Sequence, residues 1–189
     1  MLNKNNSKQL GSTAHNRQNV VPHKWKIRLK ENEFAAWIQN CNRYCLFFYG
    51  ASKSNPGVAG AGGVILNANG DTVLSYDWGL GQTSNNRAEA LALYQGLIQL
   101  GKLGINAAFI FGDSTFIISS MVQRKDPTNV FLQQILSRCH SLVQHMGELR
   151  FYHILRSLNR NADKQANKAC TRPQGCLVCN EAETYYHFP

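Results

Sequence analysis

Residues Arg43 to Gly63 have the sequence RYCLFFYGASKSNPGVAGAGG, and this stretch decides the fold. The apolar run Tyr44 to Phe48 is too short for a helix and rich in aromatic residues, which predicts a buried strand that stops at Tyr49-Gly50. A loop of glycine, serine, asparagine and proline follows, and then a second apolar run, Val64 to Leu66. This order predicts a hairpin whose first strand ends at a functional site.

The rest of the pattern predicts helices and strands that alternate along the chain. We expect further strands at Gly60 to Leu66, Thr72 to Leu80, Ala107 to Phe111 and Leu149 to Leu155. We expect helices after a cap at Thr83 or Ser84, and at Ser114 to Gln123, Asn129 to Met146 and Asn161 to Lys168. A meander of three strands followed by alternating helices and strands predicts an α/β fold. Its sheet is expected to be mixed and five-stranded, with helices on both faces.

The composition fits one globular domain with flanking segments, because the chain has 189 residues of which 43% are apolar and 16% charged. We predict a basic, largely disordered arm and connector at 1–42, a domain at 43–170 and an irregular tail at 171–189. Seven lysines and arginines and no acid occur between Met1 and Lys30. Such an arm suits phosphate contacts, although a solvated leader explains the charges equally well.

The sequence also bears on the compartment. It contains no run of about 18 apolar residues that would cross a membrane, and its N-terminus lacks the apolar core of a secretory signal. We therefore expect an intracellular protein, in the nucleus or cytoplasm, whose six cysteines are reduced. In the tail, Cys170, Cys176, Cys179 and His187 leave zinc binding open beside a simpler account as a degenerate tail.

Three later stretches of the chain each contain one acidic residue within a short motif at the start of a helix or the end of a strand. NNRAEA contains Glu89, FGDST contains Asp113, and NRNADKQAN contains Asp163. Taken singly, Glu89 could favour a helix dipole, Asp113 could cap a helix, and Asp163 could be a surface acid. Their joint order and spacing favour one shared site.

Together these motifs resemble the ribonuclease H family, most closely the domains of retroelement polyproteins and their plant relatives. In that family the first strand ends in Asp-Gly, as in FxDGASKxNPG, whereas this chain has FFYGASKSNPG. Tyr49 therefore stands at the position of the first metal-binding aspartate. The segment HILRSLNRNAD has the HxxRxxNxxAD form of the retroelement and plant branch, and the resemblance covers about 43–170.

The resemblance implies hydrolysis of the RNA strand of RNA/DNA hybrids by two Mg²⁺ ions, with Mn²⁺ as an alternative. It implies that the metal-binding and catalytic acids are Glu89, Asp113 and Asp163. It implies nucleic-acid contacts at Ser52, Asn55, Asn85, Asn86 and Arg156. Because a neutral phenol is a poor Mg²⁺ ligand, we expect hydrolysis to be impaired or lost at Tyr49. The alternative is a non-catalytic nucleic-acid-binding or interaction module.

Overall fold

The structure, a computed structural model, describes residues 25–189, so the arm predicted to be disordered lies largely outside the described residues. The strands are β1 Tyr44–Ser52, β2 Gly57–Leu66, β3 Thr72–Thr83, β4 Ala108–Gly112, β5 Leu149–His153, β6 Cys176–Cys179 and β7 Ala182–Tyr185. The helices are α1 Glu31–Asn40, α2 Asn85–Lys102, α3 Thr115–Gln123, α4 Val130–Gln144 and α5 Arg160–Ala169. A short 3-10 helix, Arg156–Leu158, precedes α5.

All the strands form one mixed sheet in the order β5-β4-β1-β2-β3-β6-β7. β1, β2 and β3 are antiparallel neighbours, whereas β4 pairs parallel with both β1 and β5. This confirms the predicted α/β class and the meander followed by alternating elements. The sheet has seven strands rather than the predicted five, because the C-terminal tail adds two.

The tail at 171–189 is therefore not irregular. β6 pairs antiparallel with β3 and covers an edge that would otherwise leave backbone groups unpaired. β7 then pairs with β6 through a turn in which both Asn180 and Glu181 have positive φ, the backbone of a tight hairpin turn. Beyond β7, the indole nitrogen of Trp78 donates a hydrogen bond to the carbonyl of Tyr186 at 3.1 Å.

The first strand is longer than predicted, and Tyr49 lies within it rather than after its end. β1 continues to Ser52, which pairs with Ala59 on β2, and Tyr49 pairs with Gly62. A Cβ atom at Gly62 would overlap the backbone of Ala166. The glycine-rich β2 therefore lets α5 lie directly on the sheet beside Tyr49.

Helices cover both faces of the sheet, as predicted. Successive side chains of β1 point to opposite faces, so Leu46 and Phe48 join the apolar core under α2, α3 and α4. Phe47 and Tyr49 instead join the core under α1 and α5. β4 is buried along its whole length, which confirms that it is a central strand.

Short polar side chains fix where the helices begin. The Ser84 hydroxyl accepts a hydrogen bond from the Arg87 amide, and the Ser114 hydroxyl accepts one from the Ile117 amide. Ser114, rather than Asp113, is thus the cap of α3, which leaves the Asp113 carboxylate for other contacts. None of the helices within residues 25–189 combines the length and apolar character needed to span a bilayer.

Candidate active site

Tyr49 occupies the centre of the candidate site, on the face of β1 covered by α5. Its side chain is buried, and the guanidinium carbon of Arg156 lies 5.2 Å from the centre of its ring. Burial raises the pKa of the Tyr49 phenol above its ordinary value. Arg156 opposes that rise, whereas the charges of Asp113, Glu89 and Asp163 add to it. The phenol is therefore neutral at pH 7 and lies within electrostatic reach of all three predicted acids.

Glu89 is held in the first turns of α2, close against β1. A Cβ atom at Gly50 would overlap the backbone of Ala88 and Glu89, so only glycine permits this approach. Glu89 is 3% exposed. Its burial raises its pKa well above the ordinary value, the Asp113 charge adds to the rise, and a backbone hydrogen bond from Gly50 opposes it. The Oε2 atom has no hydrogen-bond partner in the described part of the chain.

Asp113 follows β4 directly and is positioned by Asn159. The side-chain nitrogen Nδ2 of Asn159 donates hydrogen bonds to Asp113 Oδ1 and to the Phe48 carbonyl, both at 2.9 Å. Burial raises the pKa of Asp113, and the hydrogen bond from Asn159 opposes the rise. Asn159 thus joins β1 to the residue after β4. It was visible in the sequence only as the asparagine of HxxRxxNxxAD, without an assigned role.

Asp163 lies in the first turn of α5 and pairs with Arg156. Arg156 Nη2 donates to Asp163 Oδ1 at 2.8 Å. Arg156 begins the 3-10 helix ahead of α5, so one side chain contacts both the Tyr49 ring and the third predicted acid. His153, in contrast, ends β5 and directs its Nε2 to the Asp113 carbonyl at 3.1 Å. It is a strand residue, as predicted.

Each of the three acids lies within electrostatic reach of Tyr49 and accepts a hydrogen bond from the protein, although Glu89 Oε2 has no partner among the described residues. Glu89 faces the Gly50 backbone, Asp113 accepts from Asn159, and Asp163 accepts from Arg156. Within residues 25–189, no group of three or more histidine, cysteine, aspartate or glutamate side chains could hold a metal ion. Cys170, Cys176, Cys179 and His187 of the tail are among the described side chains that form no such group.

The predicted nucleic-acid residues form two groups. In the first group, the Ser52 hydroxyl donates to the Thr83 carbonyl at 2.9 Å, and Asn55 Oδ1 accepts from the Asn85 amide at 3.0 Å. These bonds tie the loop after β1 to the start of α2, where Asn86 is exposed. Arg156 lies apart from them, among the acids.

A cavity of about 330 Å³ opens beside the start of α2. Its lining includes Thr83, Asn86, Arg87 and Asn129. The Arg87 guanidinium carbon lies 5.2 Å from the centre of the largely exposed Phe131 ring. The sequence pattern did not identify Asn129 or Phe131 as residues of this cavity. Such a pattern locates helix ends and apolar helix faces, but it does not show which surface between two helices stays uncovered.

Comparison with known proteins identifies a family and relatives that match most of this chain. A family described as reverse transcriptase-like matches residues 47–169. Ribonuclease HI of Halobacterium salinarum is 29% identical over 123 residues, which cover 65% of this chain and 62% of that protein. A bifunctional protein of Mycobacterium tuberculosis is 31% identical over 121 residues, which cover 64% of this chain. The match spans only 33% of the length of that mycobacterial protein.

Solved structures show the same fold. The crystal structure of RNase H1 from Halobacterium salinarum superposes with a TM-score of 0.65 at 29% identity, covering 67% of this chain and 96% of that one. LC11-RNase H1 in complex with an RNA/DNA hybrid gives a TM-score of 0.64 at 27% identity, covering 68% of this chain and 96% of that one. With the matched family spanning more than half of its length, the chain belongs to the reverse transcriptase-like family, which has the ribonuclease H fold.

Proposed function

We propose that this domain binds RNA/DNA hybrids and that Tyr49 impairs or abolishes hydrolysis of the RNA strand. The observation that carries the proposal is the position of Tyr49, a neutral phenol on β1 amid Glu89, Asp113 and Asp163. Support for a hybrid as the ligand comes from the related ribonuclease HI and from the hybrid complex of LC11-RNase H1.

Hydrolysis would need divalent ions, which activate the attacking water and stabilise the leaving oxygen. Mg²⁺ or Mn²⁺ would have to be held by Glu89, Asp113 and Asp163, because these are the hard oxygen donors of the site. The residues present do not fit such a pair of ions. A phenol replaces one carboxylate, Glu89 is deeply buried, and Asp163 is paired with Arg156. The natural chain therefore lacks the ligand set that two-metal hydrolysis requires.

One part of the proposed binding surface is formed by groups that Tyr49 does not touch. The backbone N–H of Asn85 donates to Asn55 Oδ1, so the side-chain nitrogen of Asn55 can still donate to a ligand. Asn86 is exposed to solvent at the same place. Short polar side chains of this kind can contact the 2′-hydroxyls that distinguish RNA from DNA in a minor groove. The cavity beside α2, which contains Arg87, offers a place for a backbone phosphate.

A cleavage assay with one repaired residue tests this proposal. Tyr49→Asp restores a carboxylate among the three acids, so this variant is expected to cut the RNA strand of a hybrid in Mg²⁺ whereas the natural chain does not. Tyr49→Asn is the matched control, because it has the size of aspartate without the charge. Equal cutting by the natural chain would overturn the assignment of Tyr49. If neither protein cuts and both bind hybrid, the non-catalytic binding module is the better description.

A further inference from the structure

Arg156 places a cation on the Tyr49 ring and beside Asp163, within electrostatic reach of Asp113 and Glu89. Its side chain is 67% exposed, yet it is held on two sides, by the ion pair with Asp163 and by the Tyr49 ring. An arginine over an aromatic face gains electrostatic attraction and loses freedom to rotate away. The guanidinium is therefore both positioned by the protein and accessible from solvent.

The guanidinium has donors to spare. It carries five N–H groups in a planar fork, and Asp163 is the one carboxylate that accepts a hydrogen bond from it among the described residues. The remaining N–H groups match the geometry of phosphate oxygens, which arginine binds through paired hydrogen bonds.

A phosphodiester that entered this site would meet the carboxylates of Asp113 and Asp163. A cation has to stand between these like charges, and in two-metal enzymes bound divalent ions have that role. In this chain the acids are already engaged by Gly50, Asn159 and Arg156. A divalent ion would have to compete with the Arg156 charge that is already paired with Asp163, without the carboxylate that the family resemblance implies at position 49.

We propose that the Arg156 guanidinium is the resident cation of this site and that it binds a nucleic-acid phosphodiester without a divalent ion. The inference rests on the proposed function, because it concerns how the same site meets a hybrid. The new element is that binding of the phosphodiester is independent of Mg²⁺. The group that contacts the phosphodiester is Arg156 rather than a divalent ion held by the carboxylates.

The test compares hybrid affinity with and without the metal. Fluorescence anisotropy of a labelled RNA/DNA hybrid would be measured in Mg²⁺ and in EDTA at matched ionic strength, for the natural chain, Arg156→Ala and Arg150→Ala. Arg150 is a matched control because it is also an exposed arginine paired with a carboxylate, Glu148, but it lies on β5 at the end of the sheet away from Asp113. Glu148 keeps a second partner, Arg43, in that variant.

We expect the affinity of the natural chain to agree within about twofold between Mg²⁺ and EDTA. Arg156→Ala should weaken binding by about tenfold in Mg²⁺ and in EDTA, because about tenfold corresponds to the loss of one charge-assisted hydrogen bond. Arg150→Ala should weaken binding by no more than about twofold. Binding that requires Mg²⁺, or that Arg156→Ala leaves intact, would overturn this inference alone. Absence of hybrid binding under both conditions would overturn the proposed function and this inference with it.

A second measurement needs no nucleic acid. Titration of the free protein with Mn²⁺, followed by the electron paramagnetic resonance of the unbound ion, should show no bound ion for the natural chain. Tyr49→Asp should bind Mn²⁺, because it adds a hard carboxylate ligand and removes the ring that holds Arg156. Mn²⁺ binding by the natural chain as tight as that of Tyr49→Asp would overturn the inference, even if hybrid binding were normal.

Discussion

The guanidinium of Arg156 lies over the Tyr49 ring, with 5.2 Å between the guanidinium carbon and the ring centre. Tyr49, which the family resemblance sets at the position of a metal-ligand aspartate, thus also supports the Arg156 guanidinium. The contact depends on the π system of the ring and not on its hydroxyl. Removing the hydroxyl and removing the aromatic ring of Tyr49 should therefore have different effects on Arg156.

Tyr49→Phe should keep hybrid affinity within about twofold, whereas Tyr49→Leu should lower it by about two- to fivefold, the value of an exposed cation–π contact. Leucine fills the site without a π face, so Arg156 loses its support but keeps Asp163. Anisotropy titrations in EDTA measure the difference, and circular dichroism checks that both variants are folded. Equal affinities for the two variants would show that the stack has no part in positioning Arg156.

Asn159→Ala should lower the free energy of unfolding by about 2 kcal/mol, because it leaves the Phe48 carbonyl and the Asp113 carboxylate without a buried donor. Asn159 is 1% exposed, so water cannot replace the lost bonds freely. Urea denaturation measures the change. The control is Asn40→Ala, since Asn40 also donates to a backbone carbonyl but is exposed, and its loss should stay within about 0.5 kcal/mol.

The sequence predicted much of this fold because its signals are local. The aromatic run at 44–48 and the apolar run at 107–111 each favour a strand by their own composition. The two tail strands could not be predicted in the same way. Cys176–Cys179 is only four residues long, and it becomes a strand because β3 offers it an open edge.

In the candidate site, too, local motifs identified some features and left others unpredicted. Glu89, Asp113 and Asp163 could be named as candidates from motifs, and Tyr49 from its place before Gly50. The partners of these residues could not be named. That Arg156 contacts Tyr49 and Asp163 together depends on how the 3-10 helix packs beside β1, and a linear pattern holds no information on such packing.

Glu89→Gln should stabilise the protein relative to the natural chain as the pH rises from about 5 to about 8. Burial raises the pKa of Glu89 in the folded state, so the unfolded chain loses this proton first as the pH increases. The stability that protonated Glu89 contributes is complete below its unfolded pKa and is lost as the pH rises through its folded pKa. Glutamine does not titrate, so the difference in unfolding free energy should grow by about 1.4 kcal/mol for each unit of pKa difference.

Urea unfolding across this pH range provides the measurement. Glu33→Gln is the control, because Glu33 is exposed in the first turn of α1 and glutamine can keep its hydrogen bond from the Lys30 amide. Its stability should follow that of the natural chain at every pH. A difference for Glu89→Gln that does not change with pH would contradict the prediction.

Asp77→Ala should destabilise the fold by about 2 kcal/mol, because the side chain of this β3 residue is 3% exposed and accepts charged hydrogen bonds from Arg172. Lys168 adds a second cation, at 3.2 Å, so one carboxylate joins the end of α5 and the start of the tail to the sheet. Glu31→Ala removes the comparable but exposed pair with Arg160 and should change stability by at most about 1 kcal/mol. Equal effects in thermal unfolding would mean that burial adds nothing to the Asp77 contacts.

Removal of residues 181–189 should lower the free energy of unfolding by about 2–4 kcal/mol while leaving the rest of the sheet folded. This segment contains β7 and the aromatic residues that cover buried side chains of β3 and α2. Tyr186 accepts a hydrogen bond from Trp78 through its carbonyl, and its hydroxyl lies 3.1 Å from that of Tyr94. Phe188 packs edge-on against Tyr94, with ring centres 5.0 Å apart.

The indole N–H resonance of Trp78 reports this change directly, because truncation removes its acceptor and should make its hydrogen exchange faster. Tyr185→Ala is the matched control in the same hairpin. Tyr185 is 63% exposed, so its loss should alter stability by no more than about 0.5 kcal/mol. If the truncated chain were as stable as the full chain and its Trp78 indole equally protected, residues 181–189 would contribute nothing to the fold, and the domain would end near residue 180 with β6 as the edge of its sheet.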